Sequence, residues 1–318
     1  MITSIQIPEG ARILITGAAG FIGQHIVSLI SQLGFRVVAL QRNNKLPASL
    51  QEKCFRIITG DICDPAIQEE AVRGVDAICH LAAYIPNCFD DPGDAEKCFK
   101  VNAMATLGLA VAATKHNVKR FVYVSTGNMY STSVKPAKEI DLVFPAGEAS
   151  FYFTSKLAGE IYIAHVFQQA SLPWIILRIG TPYGTGEPKN KVIPTLIEKA
   201  MAGGRLDIFN GGFPKYNYTF VGDIARSTSA AMKSGLSGIY NIASGEHTSL
   251  KKLAETVIEV FEDLSPSIYI HPTITSTPPV GFPALSIEKA QQTWGFSPTS
   301  LIDGLRRYKK EIVIRNNR

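Results

Sequence analysis

The sequence predicts an α/β protein: a doubly wound parallel sheet with a smaller mixed domain toward the C-terminus. Three observations carry that prediction. Short apolar runs alternate with longer segments whose apolar residues recur at three and four. The runs are nearly unbroken in their apolar character, as strands covered on both faces must be. The first run also leads straight into a glycine-rich turn and then a helical pattern, the opening of a βαβ unit.

Taken in order, the expected strands are "RILIT" (12–16), "RVVAL" (36–40), "FRIIT" (55–59), "DAICH" (76–80), "RFVYV" (120–124) and "WIILR" (174–178). Between them, "FIGQHIVSLISQLG", "AEKCFKVNAMATLGLAVAATKH" and "FTSKLAGEIYIAHVFQQA" read as helices. Beyond Arg178 the pattern loosens into "IGTPYGTGEPKN", and "STPPVGFP" (276–283) has the same glycine and proline character. Between these, "GIYNIASGEHTSLKKLAETVIEVF" reads as a strand, a turn and a helix opening near Thr248 or Ser249. The expected domains are residues 1–178 with about 217–245, and about 179–216 with 246–318.

The 318 residues can bury a substantial core, and 46% hydrophobic with 19% charged residues is a globular composition. The five cysteines, Cys54, Cys63, Cys79, Cys88 and Cys98, show no Cys-x-x-Cys spacing, so neither a disulfide framework nor a metal site is expected. No basic leader with an apolar stretch precedes "RILIT", and no apolar run reaches membrane-spanning length. A cytoplasmic protein without membrane contact is expected. The net charge of +5 lies largely in "RRYKKEIVIRNNR", a solvated helix face rather than a nucleic-acid surface.

"TGAAGFIG" places Gly17, Gly20 and Gly23 at intervals of three in the first strand-to-helix turn. There glycines permit a tight turn, close backbone approach to a diphosphate and close helix packing, while the helix start offers free amides to phosphate. Dinucleotide binding is the expectation, with Phe21 and Ile22 in the same helix start. After the second strand, Gln41 and Arg42 stand where an NAD site would offer an acid to the ribose. An arginine there suits the extra phosphate of NADP, so NADP is slightly preferred over NAD. Asp61 and Ile62 follow the third strand, and Leu81, Ala82 and Ala83 the fourth, all at the expected coenzyme edge.

"FYFTSK" sets Tyr152 four positions before Lys156, on one helical face. With "TGAAGFIG", "GDI", "HLAAY", "VNAMATL", "VYVSTGNMY", "LRIGTPYG", "YTFVGDIA", "YNIASGEHTSL" and "WGFSPTSLIDGL", it makes an ordered set that resembles the extended short-chain dehydrogenase/reductase family, also called the NAD-dependent epimerase/dehydratase family. The resemblance covers nearly the whole chain. It implies a Rossmann-type nucleotide-binding domain, a smaller substrate-binding domain and a homodimer. It also implies that Tyr152 is the acid/base, Lys156 its partner, Thr126 the hydroxyl on the reacting oxygen, with Ser125 as its alternative, and Asn102 a supporting polar residue. A free tyrosine titrates near 10, and bringing it to about 7 takes about 4 kcal/mol, which Lys156 and an oxidised nicotinamide would both favour.

Family dehydratases usually carry an acidic pair after the threonine, whereas this chain has Gly127 and Asn128. Where nucleotide-sugar members often have asparagine and a diphosphate-binding arginine, it has Thr181 and Tyr216. The expected substrate contacts are Tyr84, Thr126, Thr181, Lys191 and Tyr216; Lys189 and Lys215 are further cations for a diphosphate, and Tyr183 and Tyr218 further aromatics. The resemblance thus implies a nucleotide-sugar C4 epimerase or 4-keto-sugar reductase. The alternatives are an NADPH-dependent reductase or dehydrogenase of a non-sugar ketone or alcohol, and a non-catalytic NADP-binding sensor.

Overall fold

The computed structural model describes residues 7–43, 45–86, 91–131, 135–143, 149–261, 267–272 and 281–316. Each expected strand forms. The chain runs β1 (Arg12–Thr16), α1 (Phe21–Gln32), β2 (Arg36–Gln41), α2 (Ala48–Gln51), β3 (Cys54–Thr59), α3 (Pro65–Val72), β4 (Ala77–His80), α4 (Ala95–Cys98), α5 (Ala105–Lys115), β5 (Arg120–Thr126), α6 (Ser150–Gln169) and β6 (Trp174–Ile179). Then come β7 (Thr181–Tyr183), α7 (Val192–Met201), β8 (Arg205–Ile208), β9 (Lys215–Tyr216), β10 (Tyr218–Phe220), α8 (Val221–Lys233), β11 (Gly238–Ile242), β12 (Thr248–Ser249), α9 (Leu250–Val260), β13 (Ser267–Ile270), α10 (Glu288–Trp294) and α11 (Leu301–Asn316).

A seven-stranded sheet has the order β11-β6-β5-β4-β1-β2-β3. The pairs β3–β2, β2–β1, β1–β4 and β4–β5 are parallel. The chain first winds outward through β2 and β3, then returns to β4 on the other side of β1. The order therefore reverses between β1 and β4, and ligands of open parallel sheets bind where the strands end at such a reversal. β1 and β5 show why the strands are so apolar: four of the five residues of β1 and all seven of β5 are buried. Leu14, Val38, Ile58 and Ile78 of the sheet pack with Leu109 of α5 and Phe167 of α6 in one core.

The expected continuous helix 95–116 is corrected in one place. Phe99–Met104 is wound as a π-helix between α4 and α5. Such an insertion gives up regular hydrogen bonding and recurs where a side chain must be re-aimed; the residue it presents is Asn102. The helix expected near Thr248 or Ser249 opens at Ser249, whose hydroxyl accepts from the Lys252 N–H at 3.1 Å.

Two compact units divide the chain. Unit 1 comprises Met1–Ser131, Leu142–Arg178 and Ile224–Tyr240; unit 2 comprises Thr132–Asp141, Ile179–Asp223 and Asn241–Arg318. Unit 2 thus also takes Thr132–Asp141, which the strand–helix alternation assigns to the first domain, and the segment returning to unit 1 is shorter than 217–245. Within unit 2, β7 pairs with β10, β8 with β13 and β9 with β12. Of "STPPVGFP", residues 276–280 lie outside the described residues.

Candidate active site

The end of β1 is built for close approach. Gly17 has φ +66°, and a Cβ there would lie 2.9 Å from the Ala82 amide nitrogen, so only glycine lets this turn meet the chain leaving β4. A Cβ on Gly23 would collide with the Gly17 carbonyl. Gly20 caps α1 without a side-chain hydrogen bond, and no acid stands in the first turn. The amides that begin α1, those of Phe21, Ile22 and Gly23, therefore meet no competing anion, the condition for receiving phosphate. Thr16 ties the two strand ends together, its hydroxyl accepting from the Leu81 and Ala82 N–H groups at 3.1 Å each.

The remaining coenzyme-edge residues are less uniform. Ala83 is half-buried beside Ala82. Asp61 is exposed and accepts from the Cys63 N–H at 2.9 Å, forming the turn into α3. Ile62 packs its side chain into the sheet core. Arg42 is exposed directly after β2, whereas Gln41 is buried and spends its amide on the Leu46 N–H and the Thr59 hydroxyl. A dinucleotide fits this end of the sheet: its phosphates have the uncapped helix, and Ser125 Oγ and Asn128 Oδ1, at and just past the end of β5, are buried without a partner among the described residues.

Tyr152 lies in the first turn of α6 and is half-buried; Lys156, one turn on, is buried. The Lys156 ammonium donates to the Val124 carbonyl at 2.8 Å and lies 4.0 Å from the centroid of the Tyr123 ring. That bond pins the helix carrying Tyr152 to β5, two residues before Thr126. Thr126 is buried at the strand end, and its hydroxyl accepts from the Asn128 N–H at 3.2 Å. Electrostatically, burial pushes the Tyr152 phenol above its ordinary range, and Cys98 adds to the rise. Both causes act in the same direction in the chain by itself, where no oxidised nicotinamide stands beside the phenol. Burial also lowers Lys156 to about 7, against the pull of Glu160.

Asn102 gathers three elements. Its amide NH₂ donates to the Tyr84 carbonyl and the Ser155 hydroxyl, each at 2.9 Å, and its oxygen accepts from the Tyr84 N–H at 2.7 Å. Ser155 Oγ in turn donates to the Tyr152 carbonyl at 2.7 Å. The Thr106 hydroxyl donates to the Asn102 carbonyl, and His80 joins Thr106 at 2.8 Å to Thr16 at 2.6 Å. His80 is held neutral, its pKa lowered to about 3 by burial and then by Lys156. A buried line of side chains thus runs from the β1 turn to the Tyr152 helix. The Tyr84 hydroxyl is committed to Asp94 at 2.7 Å.

Unit 2 holds the other candidates. Thr181 stands opposite Tyr218 in the β7–β10 register, and the Tyr216 and Tyr218 rings are 5.6 Å apart. Lys189, Lys191 and Lys215 are exposed. Tyr183 is buried, donates its hydroxyl to the Leu301 carbonyl at 3.3 Å and serves packing.

Several residues escape a reading of the sequence. Glu160 continues the four-residue spacing of Tyr152 and Lys156, a signal open to inspection; it is buried and grips Arg178, whose guanidinium donates to it at 2.7–3.1 Å and to the Tyr130 hydroxyl at 2.7 Å. His80 and Glu187 carry no such signal.

Among known proteins, the family model described as "NAD dependent epimerase/dehydratase family" matches residues 13–243. The chain is 28% identical over 261 residues to dTDP-glucose 4,6-dehydratase of Streptomyces niveus, covering 78% of this chain and 77% of that one. It is 30% identical over 314 residues to an uncharacterized UDP-glucose epimerase of Bacillus subtilis (strain 168), covering 92% and 95%. The structure of UDP-glucuronic acid 4-epimerase from Bacillus cereus, in complex with UDP-glucuronic acid and NAD, superposes with a TM-score of 0.81 at 25% identity, covering 96% of this chain and 99% of that one. With a diphosphate-ready turn at β1, a tyrosine–lysine helix pinned to β5 and a family match spanning the whole sheet, this chain belongs to the NAD-dependent epimerase/dehydratase family of short-chain dehydrogenase/reductase enzymes.

Proposed function

We propose that the chain is an NAD-dependent 4-epimerase of a nucleotide-activated sugar. The observation that carries this reading is the 2.8 Å bond from Lys156 to the Val124 carbonyl, which holds the Tyr152 helix against the strand ending in Thr126. The names of its relatives supply the substrate class, nucleotide sugars. Gly127 and Asn128 provide no acid to expel water, which argues against a dehydratase.

NAD, when bound, supplies a hydride acceptor. Tyr152 exchanges the proton of the substrate oxygen: protonated by burial, it donates to a ketone oxygen, and it takes the proton from a hydroxyl when a neighbouring positive charge stabilises the phenolate. Lys156, titrating at about 7, is poised between charged and neutral forms at that step. Because Thr126 accepts from the Asn128 N–H, its own proton is left for the same substrate oxygen. Asn102 and Ser155 hold the Tyr152 backbone in place. Phe99, Met104 and Ile161 are exposed apolar residues on the two long helical segments and support a homodimer there, which light scattering would register as a doubled mass.

The test is incubation with UDP-glucose and dTDP-glucose without added reductant, with NMR detection of the C4-inverted sugar. Tyr152→Phe is expected to lower turnover about 10²–10⁴-fold with coenzyme uptake unchanged. Absence of binding to any nucleoside diphosphate sugar would overturn the assignment. A second reading, a 4-keto-sugar reductase using NADPH, is favoured by exposed Arg42 after β2, where a ribose phosphate would find a cation. Retention of NAD through purification separates the first reading from the second.

A further inference from the structure

His80 ends β4 fully buried, and neither step of the proposed reaction draws on it. Both of its ring nitrogens are nevertheless committed, Nδ1 to Thr16 at 2.6 Å and Nε2 to Thr106 at 2.8 Å. The neighbours fix which nitrogen carries the proton. Thr16 Oγ1 already accepts from the Leu81 and Ala82 N–H groups, which fills its two lone pairs, so its own proton goes to His80 Nδ1. Thr106 gives its proton to the Asn102 carbonyl at 2.9 Å, so Nε2 must donate to Thr106. The two ends independently demand the same neutral tautomer.

The result is a run of hydrogen bonds with one sense, from Thr16 through His80 and Thr106 to the Asn102 carbonyl. Its first member holds the chain leaving β4, where Ala82 lies so close to Gly17 that the glycine turn admits no Cβ. Its last member touches the Tyr152 helix: a Cβ on Gly159 of α6 would lie 2.8 Å from the Asn102 carbonyl and 2.7 Å from the Tyr123 hydroxyl. The face of the imidazole reaches α6 by a second route. It stacks on Tyr123, with centroids 5.3 Å apart and planes at 23°, and that ring lies 4.0 Å from the Lys156 ammonium. An imidazolium would break the first route, since Nδ1–H would meet an oxygen with no lone pair left, and it would set a second cation near Lys156. Burial and Lys156 both hold the ring neutral.

We infer that His80 is a positioning residue for the proton transfer: as the Nε2–H tautomer it holds the glycine turn in register with the Asn102 and Tyr123 contacts of α6, and so sets where Tyr152 and Lys156 stand beside bound coenzyme. The inference rests on the reading above only in taking Tyr152 as the group that exchanges the proton.

The test follows the NAD-saturated protein by NMR, with nitrogen-labelled histidine rings and carbon-labelled tyrosine phenols, for the natural sequence, Thr106→Val, Thr106→Ser and His80→Phe. Tyr152→Phe and His80→Phe identify the two signals by their loss. His80 is expected as a neutral ring protonated at Nε2. Thr106→Val is expected to displace the Tyr152 signal, as is His80→Phe, which removes the hydrogen bonds and keeps a ring on Tyr123; Thr106→Ser should leave it in place. In turnover of UDP-glucose or dTDP-glucose, Thr106→Val should lower kcat about ten- to a hundredfold at unchanged KM, and Thr106→Ser should restore it. A natural protein whose His80 is protonated at Nδ1 or at both nitrogens, or a Tyr152 signal that Thr106→Val leaves in place, overturns the inference. The tautomer is read without any substitution, so it decides even where a variant does not fold. Displacement of the Tyr152 signal without turnover of any nucleotide sugar overturns the nucleotide-sugar reading and leaves this inference standing.

Discussion

Asn102 in unit 1 and Glu187 in unit 2 are both polar side chains away from bulk water, and they are treated in opposite ways. The Asn102 amide meets Tyr84 and Ser155 with three hydrogen bonds of 2.7–2.9 Å, while Glu187 keeps a buried oxygen without a partner among the described residues. The contrast separates two tasks. Polar groups that hold reacting side chains in place must be satisfied before any ligand arrives, because an unpaired group would relax and take the geometry with it. An acceptor left open, as at Glu187, has no such positioning duty among the described residues.

Three measurements would break or sharpen this contrast. The largest effect is expected at Glu160, where Glu160→Ala leaves Arg178 buried without its counter-ion, held only by the Tyr130 hydroxyl, and should cost about 3–5 kcal/mol in denaturant unfolding. An unchanged midpoint would mean that the interior of unit 1 does not depend on its polar pairing. The next is a slope rather than a step. Lys156, lowered to about 7 in the folded chain from an ordinary 10.5, binds fewer protons folded than unfolded between those values. Its contribution to stability therefore rises with pH across that window and is lost as pH falls toward 7. Lys156→Met should flatten that rise when unfolding is followed from pH 7 to 10.5, and a parallel pair of curves would refute the burial argument. The smallest comparison sets Asn102→Ala against Thr181→Val. Removing the satisfied amide should cost about 1–3 kcal/mol, whereas removing the unsatisfied hydroxyl should change stability by less than about 0.5 kcal/mol or improve it. Equal losses would erase the distinction between the two units.

The legibility of the sequence follows the same division. "RILIT" into "TGAAGFIG" announces β1, its turn and α1, because strand burial and tight turning each restrict residue types over a short stretch. Tyr152 and Lys156 are legible as a pair, since one helical turn brings them to one face. The π-helical winding at Asn102 leaves no trace in "AEKCFKVNAMATLGLAVAATKH", which has an unbroken helical period; it accompanies contacts with Tyr84 and Ser155, 18 and 53 residues away. Ile62 illustrates the converse, a residue placed at the coenzyme edge by its motif whose side chain belongs to the core.

The amino-acid order alone settles the alternation of buried strands with helices, the glycine turn and the helical pairing of Tyr152 with Lys156, because each depends on neighbours within a few residues. Tertiary packing decides whether those groups are charged, which polar atoms are paired and which stay open. Desolvation and hydrogen bonding at Lys156, His80 and Glu187 come from residues far apart in the chain, and only the folded chain brings them within reach.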